Sequence, residues 1–357
     1  MGNDKKIVIA ETNMTGAEHL SFNACIISDL LQQKKTIKLY CSNSQYSCLP
    51  ESIRRKVEFK KIPVIHGKSR SFFLKFLVDI FNILRIFFGK NEKIVLLSVF
   101  PPTLFVTSIL AAIFRKKVKI FLHGELNGLR DNVNRKITSY SFWVYWYFKL
   151  SLYNYLENYI VGEHIRESID NVIFIDSKKL KYINHPLTPK CFVSKKDIIY
   201  ASIGYANGAS YDALFSIMSE INKSCCHIGM VSEELYEKYK SSCIIFHAKP
   251  GAGLEYEQYL KLVSRVQYGV FLYNHDYSFT TSGAMLDAMS NDVVIVSKNN
   301  CFASYLENIK YPTIILKNTE ELISLLENLP EYYEMIEQYD THLAKENFSK
   351  NSSSWIV

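Results

Sequence analysis

The stretch Tyr277–Leu306, YSFTTSGAMLDAMSNDVVIVSKNNCFASYL, decides how the chain is read. Small and hydroxyl residues at Thr280, Thr281, Ser282, Gly283 and Ala284 precede an apolar run that holds one acid, Asp287. That order predicts a loop feeding a helix N-terminus, where unpaired backbone N–H groups and the helix dipole favour an anion such as a phosphate. One turn on, Asp287 is placed to accept hydrogen bonds from a sugar hydroxyl. The β-branched run VVIVS that follows is short enough to be a buried parallel strand. Together these features point to a nucleotide-bearing ligand. An ordinary capped helix in an α/β domain reads the same way.

Outward from that stretch the chain repeats one rhythm. At the start, Ile7–Ala10 predicts a strand, a loop follows with Gly16, and Leu20, Ile26, Ile27, Leu30 and Leu31 give helical spacing over Ala17–Gln33. This is a βαβ unit, whose ligand loop lies at the carboxyl end of the strand. Ile94–Ser98 reads as a strand, Pro101-Pro102 as a loop, Thr103–Phe114 as a helix and Val118–Leu122 as another strand. That last strand ends on His123-Gly124-Glu125, an imidazole and a carboxylate at a carboxyl end; a histidine that merely caps a loop would look alike. The segment 184–197 has Pro186, Pro189 and little regularity, which suits a linker. The rhythm restarts with IIYASIG and runs through the opening stretch to TIILKN and TEELISLLENL, then to a polar, helical tail over 331–350. The predicted fold class is α/β, with two Rossmann-like parallel-sheet domains facing a central cleft.

Two segments leave alternatives open. Lys68–Lys90, KSRSFFLKFLVDIFNILRIFFGK, is apolar except at Lys75, Asp79, Asn82 and Arg85, whose spacing draws one polar stripe on a helix. Its charges argue against a transmembrane span. With Lys68, Arg70 and Lys90 at its ends it suits a bilayer interface, and equally a helix packed in its domain with one wet stripe. Residues 139–159 are rich in aromatics and read as a ring-filled core helix, the alternative being a second surface for lipid or a partner.

Composition bounds the function. The 357 residues suggest two domains, and 48% hydrophobic with 22% charged residues is a soluble globular balance. Lys+Arg 42 against Asp+Glu 35 gives a net charge of +7, which suits anionic ligands or an anionic membrane surface and falls short of a nucleic-acid-binding composition. The 8 Cys show no metal spacing and many sit in or beside apolar segments, so a reduced, cytosolic setting is expected. Lys5-Lys6 lead straight into a strand, which is unlike a signal peptide.

The ordered set of Gly16, HGEL at His123, VGEHIRESI, HPL at His185, IIYASIG and TTSGAMLDAMSNDVVIVS resembles the GT-B glycosyltransferases, within them the bacterial family-4-like enzymes of surface polysaccharide synthesis. The resemblance implies an acceptor-side domain over 1–188, a nucleotide-sugar domain over 189–330, and a tail over 331–357 crossing back to the first. It implies a transferase of hexosyl type that moves a sugar from a nucleotide-sugar to a glycan, lipid-linked in capsule, O-antigen or exopolysaccharide synthesis. Such an enzyme would work without a metal or other cofactor in the cytoplasm, at the inner face of the membrane, with contact through 68–90.

By position, Asp287 matches the second acid of the family's E-x7-E motif, expected on the ribose, and Thr281, Ser282 and Gly283 match the diphosphate loop. His123 matches the histidine near the donor sugar, and Gly16 the loop that closes over it. Glu125 and Asp276 are candidates for a carboxylate role. Two departures stand out. The motif's first acid falls on Phe279, and the loop GYANGAS lacks the usual Arg or Lys, for which Lys249 is a substitute unless it is only a surface lysine. These departures keep in view a degenerate chain that binds a sugar nucleotide or a partner transferase; a GT-B-fold sugar-nucleotide epimerase, which would gather several carboxylates and histidines at its cleft, is the other reading.

Overall fold

The structure is a computed structural model that describes residues 6–16, 18–65, 71–89, 93–130, 136–172, 174–188, 192 and 195–350. Lys5, Ala17, Lys68, Arg70, Lys90 and Pro189, singled out above, lie outside them, as does Cys191, one of the eight cysteines. Contacts divide the chain into two units. The first takes the chain as far as Pro186 and also Phe279–Thr281; the second takes Leu187–Ser278 and Ser282–Lys350.

The first unit is built on a parallel sheet of β1 (Ile7–Glu11), β2 (Ile37–Cys41), β3 (Glu58–Lys61), β4 (Lys93–Ser98), β5 (Lys117–Leu122), β6 (Glu157–Val161) and β7 (Lys181–Ile183), in the order β3-β2-β1-β4-β5-β6-β7. Its helices are α1 (Leu20–Gln32), α2 (Asn43–Cys48), α3 (Glu51–Arg54), α4 (Phe72–Phe87), α5 (Pro101–Phe114), α6 (Tyr140–Lys149) and α7 (Ile165–Asp170). Strand β1 is buried at all five positions, as a strand covered on both faces must be. Chain order reverses between β1 and β4, so the switch point of this sheet lies there. Val8, Ala10, Ile94, Leu96, Ile120 and Leu122 line one sheet face, and α4, α5 and α6 cover it with Ile83, Leu104, Val144 and their neighbours.

The second unit repeats the plan with six strands, β8 (Ile198–Ile203), β9 (Cys225–Ile228), β10 (Ile244–Phe246), β11 (Val266–Phe271), β12 (Val294–Lys298) and β13 (Thr313–Leu316), ordered β10-β9-β8-β11-β12-β13. Helices α8 (Gly208–Glu220), α9 (Glu233–Tyr239), α10 (Tyr256–Val263), α11 (Gly283–Ser290), α12 (Cys301–Asn308), α13 (Thr319–Glu327), α14 (Tyr332–Gln338) and α15 (Thr341–Ser349) complete it. The switch point falls between β8 and β11. The two helices of the tail pack within this unit, Tyr332 and Met335 in one core cluster, Ala344 and Phe348 in another.

Three expectations are corrected. Pro101-Pro102 do not form a loop; they open α5, because the first helical N–H groups have no partner to lose and proline's φ already suits a helix. The aromatic run 139–159 is not one helix. It stops at Lys149, Ser151 turns left-handed at φ 55°, and a short 3-10 turn leads into β6. The larger correction concerns α4. The middle of its polar stripe is not wet: Asp79 is 2% exposed and Asn82 0%, with Lys75 half-buried and only Arg85 exposed, while Leu77 is 62% and Phe81 59% exposed. Asp79 accepts from the Phe100 N–H and Thr103 Oγ1 at the start of α5, and Asn82 Nδ2 donates to Pro63 O at 2.7 Å. The helix is turned with acceptors and donors inward because the start of α5 and the chain after β3 offer them partners. Residues 42–61, left unassigned by the sequence, hold α2, α3 and the edge strand β3. Among the described residues no helix is long and apolar enough to cross a membrane.

Candidate functional site

The first unit's switch point is filled. Glu11 ends β1 where the register to β4 shifts, opposite Ser98. Its Oε1 accepts from Ser98 Oγ and from the Asn13 and Met14 N–H groups, each at 3.0 Å, and its Oε2 accepts from Asn23 Nδ2 at 3.3 Å. Burial outweighs these bonds and pushes the carboxyl up to about 7. Asp79 sits nearby on α4, raised to about 6 by burial against its Thr103 bond. Both acids are therefore structural fasteners, one for the loop after β1 and one for the start of α5.

Beside them, histidines gather around Phe22 of α1. His123 at the end of β5 meets Phe22 edge-on at 4.3 Å between ring centroids and His19 at 4.6 Å, and His185 meets Phe22 at 5.0 Å. Burial lowers His19 and His185 to about 4 and holds His123 well below the ordinary imidazole range, so all three are neutral at neutral pH. The Leu97 carbonyl bonds one His123 nitrogen, and Nε2 is buried without a hydrogen-bond partner. The ring therefore carries its proton on Nδ1 and presents a lone pair at Nε2. Glu125 turns back on its own loop, Oε2 accepting the His123 N–H at 2.7 Å; burial raises it to about 7 against the facing amides. It fixes the backbone that carries His123. Gly16 takes φ +61° in the loop after β1, and its N–H donates to Ser44 Oγ at 3.3 Å.

The segment Phe279–Thr281 belongs to this unit. Phe279, 8% exposed, is a member of its main core cluster together with Leu126 and Ile165. His164 Nε2 lies 2.9 Å from Thr280 O, and Thr281 Oγ1 donates to Val161 O at 3.0 Å. The Thr281 hydroxyl is thus committed to β6, and only its backbone is left for a ligand.

The second unit's switch point is built differently. Strand β8 runs into Gly204 and β9 into Gly229, with φ +111° and +140°. A Cβ on Gly229 would stand 1.9 Å from Gly204 O, so only glycine allows these two strand ends to pass. A Cβ on Gly204 would stand 3.3 Å from the Ala284 methyl, which brings the first turn of α11 against the end of β8. Two helix N-termini, of α8 after β8 and α11 after β11, therefore meet at adjacent strand ends. Ser282 caps α11, its Oγ accepting from Met285 N at 3.3 Å, while the hydroxyls of Tyr273 and Tyr277 reach the same side chain. This cap leaves the first amides of α11, at Gly283 and Ala284, for an anion, and Gly283 is exposed.

Asp287 lies one turn along α11, half-buried, with Oδ2 accepting from Tyr259 OH of α10 at 2.9 Å. That bond holds one oxygen of the carboxylate. Lys249 follows the edge strand β10, exposed, in a turn tied to the loop after β9 by the Gly251 N–H to Val231 O bond of 3.1 Å. Asp276 accepts from the N–H and hydroxyl of Ser278 and so shapes the turn before Phe279.

Within each unit, then, the sequence-derived residues fall at carboxyl strand ends: Gly16, His123 and Glu125 in the first, Ser282, Gly283, Asp287 and Lys249 in the second. The sequence reading missed Glu11, His19 and Tyr259. Glu11 carried the same signal as His123, a polar residue directly after a buried strand. Tyr259 carried none, since a tyrosine on an amphipathic helix does not reveal which acid it meets.

No protein-family model matches this chain, and no curated protein matches it in sequence. Solved structures do match its fold. Anabaena HepE in complex with UDP and glucose superposes with a TM-score of 0.63 at 12% identity, covering 98% of this chain and 95% of that one. A glycosyltransferase from Rickettsia africae gives 0.61 at 11% identity over 98% and 94%. The lipopolysaccharide outer core galactosyltransferase WaaB in its apo form gives 0.56 at 11% identity over 98% and 100%. The two parallel sheets of seven and six strands are the GT-B architecture.

Proposed function

We propose that the chain is a glycosyltransferase that moves a sugar from a nucleotide-sugar donor to a glycan acceptor, and that the second unit holds the donor. The observation that carries this reading is the glycine-lined switch point between β8 and β11, where the unused amides of α11 and the half-buried Asp287 stand one helical turn apart. The match to HepE, solved with UDP and glucose, supports it.

The chemistry asks for little else. Cleaving the bond between sugar and diphosphate builds negative charge on the leaving phosphate and oxocarbenium character on the sugar. In this reading the Gly283 and Ala284 amides and the α11 dipole meet the phosphate, with Lys249 as the mobile cation. Asp287 accepts from a ribose hydroxyl. His123, neutral and with its Nε2 lone pair presented, accepts a hydrogen bond from a sugar hydroxyl, and Glu125 positions it. Gly16 lets the loop after β1 turn. The reading takes a hexosyl donor, no metal, and a lipid-linked acceptor of the surface-polysaccharide kind at the cytoplasmic side of a membrane.

A thermal-shift series against UDP-, GDP- and ADP-sugars tests the donor claim. One nucleotide class at 100 times its dissociation constant is expected to stabilise the fold by about 2.7 kcal/mol, and the absence of any shift across the series sinks the reading.

Two observations bear on other readings. Buried carboxyls and histidines at one strand edge would suit an epimerase, but Glu11 has both oxygens tied to backbone, hydroxyl and amide donors, and Asp79 holds one oxygen on the Phe100 N–H and Thr103 Oγ1, which disfavours proton shuttling by either. Phe279, apolar and buried where an acid was expected, favours a chain that binds donor without turnover. Incubation with the donor alone separates the three: slow hydrolysis of the sugar nucleotide supports the transferase, an isomer the epimerase, and unchanged donor the binding chain.

A further inference from the structure

Helix α4 is inside out for a soluble protein. Its buried side carries Asp79 and Asn82 beside Ile83, Ile86 and Phe87, while Phe73, Leu74, Leu77 and Phe81 stand exposed at helical spacing. An apolar stripe left to water has no reason to form unless something else covers it.

The stripe continues onto the neighbouring helices. Helices α4, α5 and α6 lie side by side on one sheet face, and Phe88 beyond α4 meets Phe114 of α5 edge-on at 5.5 Å. Ile109 and Ile113 of α5 are exposed, as are Trp146 of α6 and Leu150 at its end. Among the described residues of the first unit, every exposed large apolar side chain falls between Phe73 and Tyr155; α1, α2, α3 and α7 show none.

Charge says what the cover is. Across the three helices the one acidic residue is Asp79, and it is buried. Among the described residues, the exposed charges in and directly beside them are Arg85, Arg115, Lys117, Lys136 and Lys149, all positive. A protein partner or a second copy would meet a face of one sign with no acid to pair its own cations. An anionic lipid interface supplies negative headgroups for the rim and acyl chains for the stripe, with the exposed Trp146, Tyr140 and Tyr155 at the depth such rings favour.

We propose that the first unit lies on an anionic bilayer through the outer faces of α4, α5 and α6, with Leu77 and Phe81 inserted among the acyl chains. This deepens the reading of a lipid-linked acceptor and names the surface by which the chain reaches it, but the surface stands on its own observations.

Flotation with phosphatidylcholine vesicles, alone or with about a third phosphatidylglycerol, tests it. The wild type is expected to float with the anionic vesicles, less so as salt rises, and only weakly with neutral ones. Leu77→Glu with Phe81→Glu is expected to cut vesicle binding by about tenfold or more, with the melting temperature and nucleotide-sugar thermal shift unchanged. A wild type that stays behind with both vesicle types, or a double variant that floats as well as the wild type, overturns the proposal. So does a wild type that sediments as a dimer, releases to monomer in the double variant and ignores vesicles, since a second copy then covers the face. Because donor binding is read in the same samples, loss of flotation with the thermal shift intact leaves the transferase reading standing, and the reverse result leaves the membrane surface standing.

Discussion

The two units carry the same sheet plan and use its switch point in opposite ways. In the first, the gap between β1 and β4 is stitched shut by Glu11, which ties Ser98, Asn23 and the loop after β1 to one carboxyl group. In the second, the gap between β8 and β11 is kept open by subtraction, with glycines where side chains would stand and helix amides left unused. A switch point is thus a place where a fold can bind something, and whether it does is decided by a few residues at the strand ends. The stitched gap pays for its rigidity with a buried acid, while the open one keeps its polar backbone groups for a ligand.

Four experiments press on that contrast. The largest effect is expected from Gly229→Ala. Its new methyl meets the Gly204 carbonyl, a clash with backbone that no rotamer relieves, so chemical denaturation is expected to show a loss of about 3 kcal/mol or more and the donor thermal shift to vanish with the open gap.

Phe279→Glu puts back the acid that the GT-B resemblance leads one to expect. It removes a buried ring and places a carboxyl in the core cluster of the first unit, so a loss on the order of 3 kcal/mol is expected, with no gain in turnover. A stable, faster variant would mean that this segment is not the anchor described here.

Asp287→Asn keeps an oxygen for Tyr259 but removes the charge. Donor affinity, read by titration calorimetry, is expected to fall about tenfold, or about 1.4 kcal/mol, with the ligand-free melting temperature nearly unchanged. Unaltered affinity would move the ribose contact away from α11.

The last effect is a slope rather than a single loss. Burial holds Glu125 near 7 in the fold against 4.5 in the open chain, so its contribution to stability is whole below about 4.5 and is lost as pH rises through about 7. His19 and His185, lowered from 6.5 to about 4, act the other way, and their share is lost as pH falls through that window. Glu125→Gln leaves the histidines in place, and between about pH 5 and 8 it is expected to lose less stability than the wild type, by on the order of 2 kcal/mol. Parallel denaturation curves for the two proteins would show Glu125 ionised throughout.

Much of this was legible in the sequence. The alternation of β-branched runs with helical spacing located both sheets, and the polar residues after Leu122 and before Met285 pointed to the strand ends where they lie. What could not be read was the sense of a pattern. On α4 the stripe Lys75, Asp79, Asn82 was visible, but periodicity gives the angle between two faces and not which one is wet. That is set by partners far along the chain, Pro63 O and Thr103 Oγ1, whose meeting with α4 is a tertiary event. Phe279 is a similar case. A motif alignment shows that an acid is missing, and only the packing shows that a hydrophobic residue was needed there.

That packing has a consequence for synthesis. The first unit's sheet and helices are complete in the sequence by Pro186, yet Phe279 sits in their core and arrives more than ninety residues later. On a ribosome the first unit is therefore begun early and finished late, its core waiting unfilled while most of the second unit's strands emerge. A chain cut after Pro186 would carry that vacancy permanently, so the two units, though each has its own sheet, are not two separable proteins.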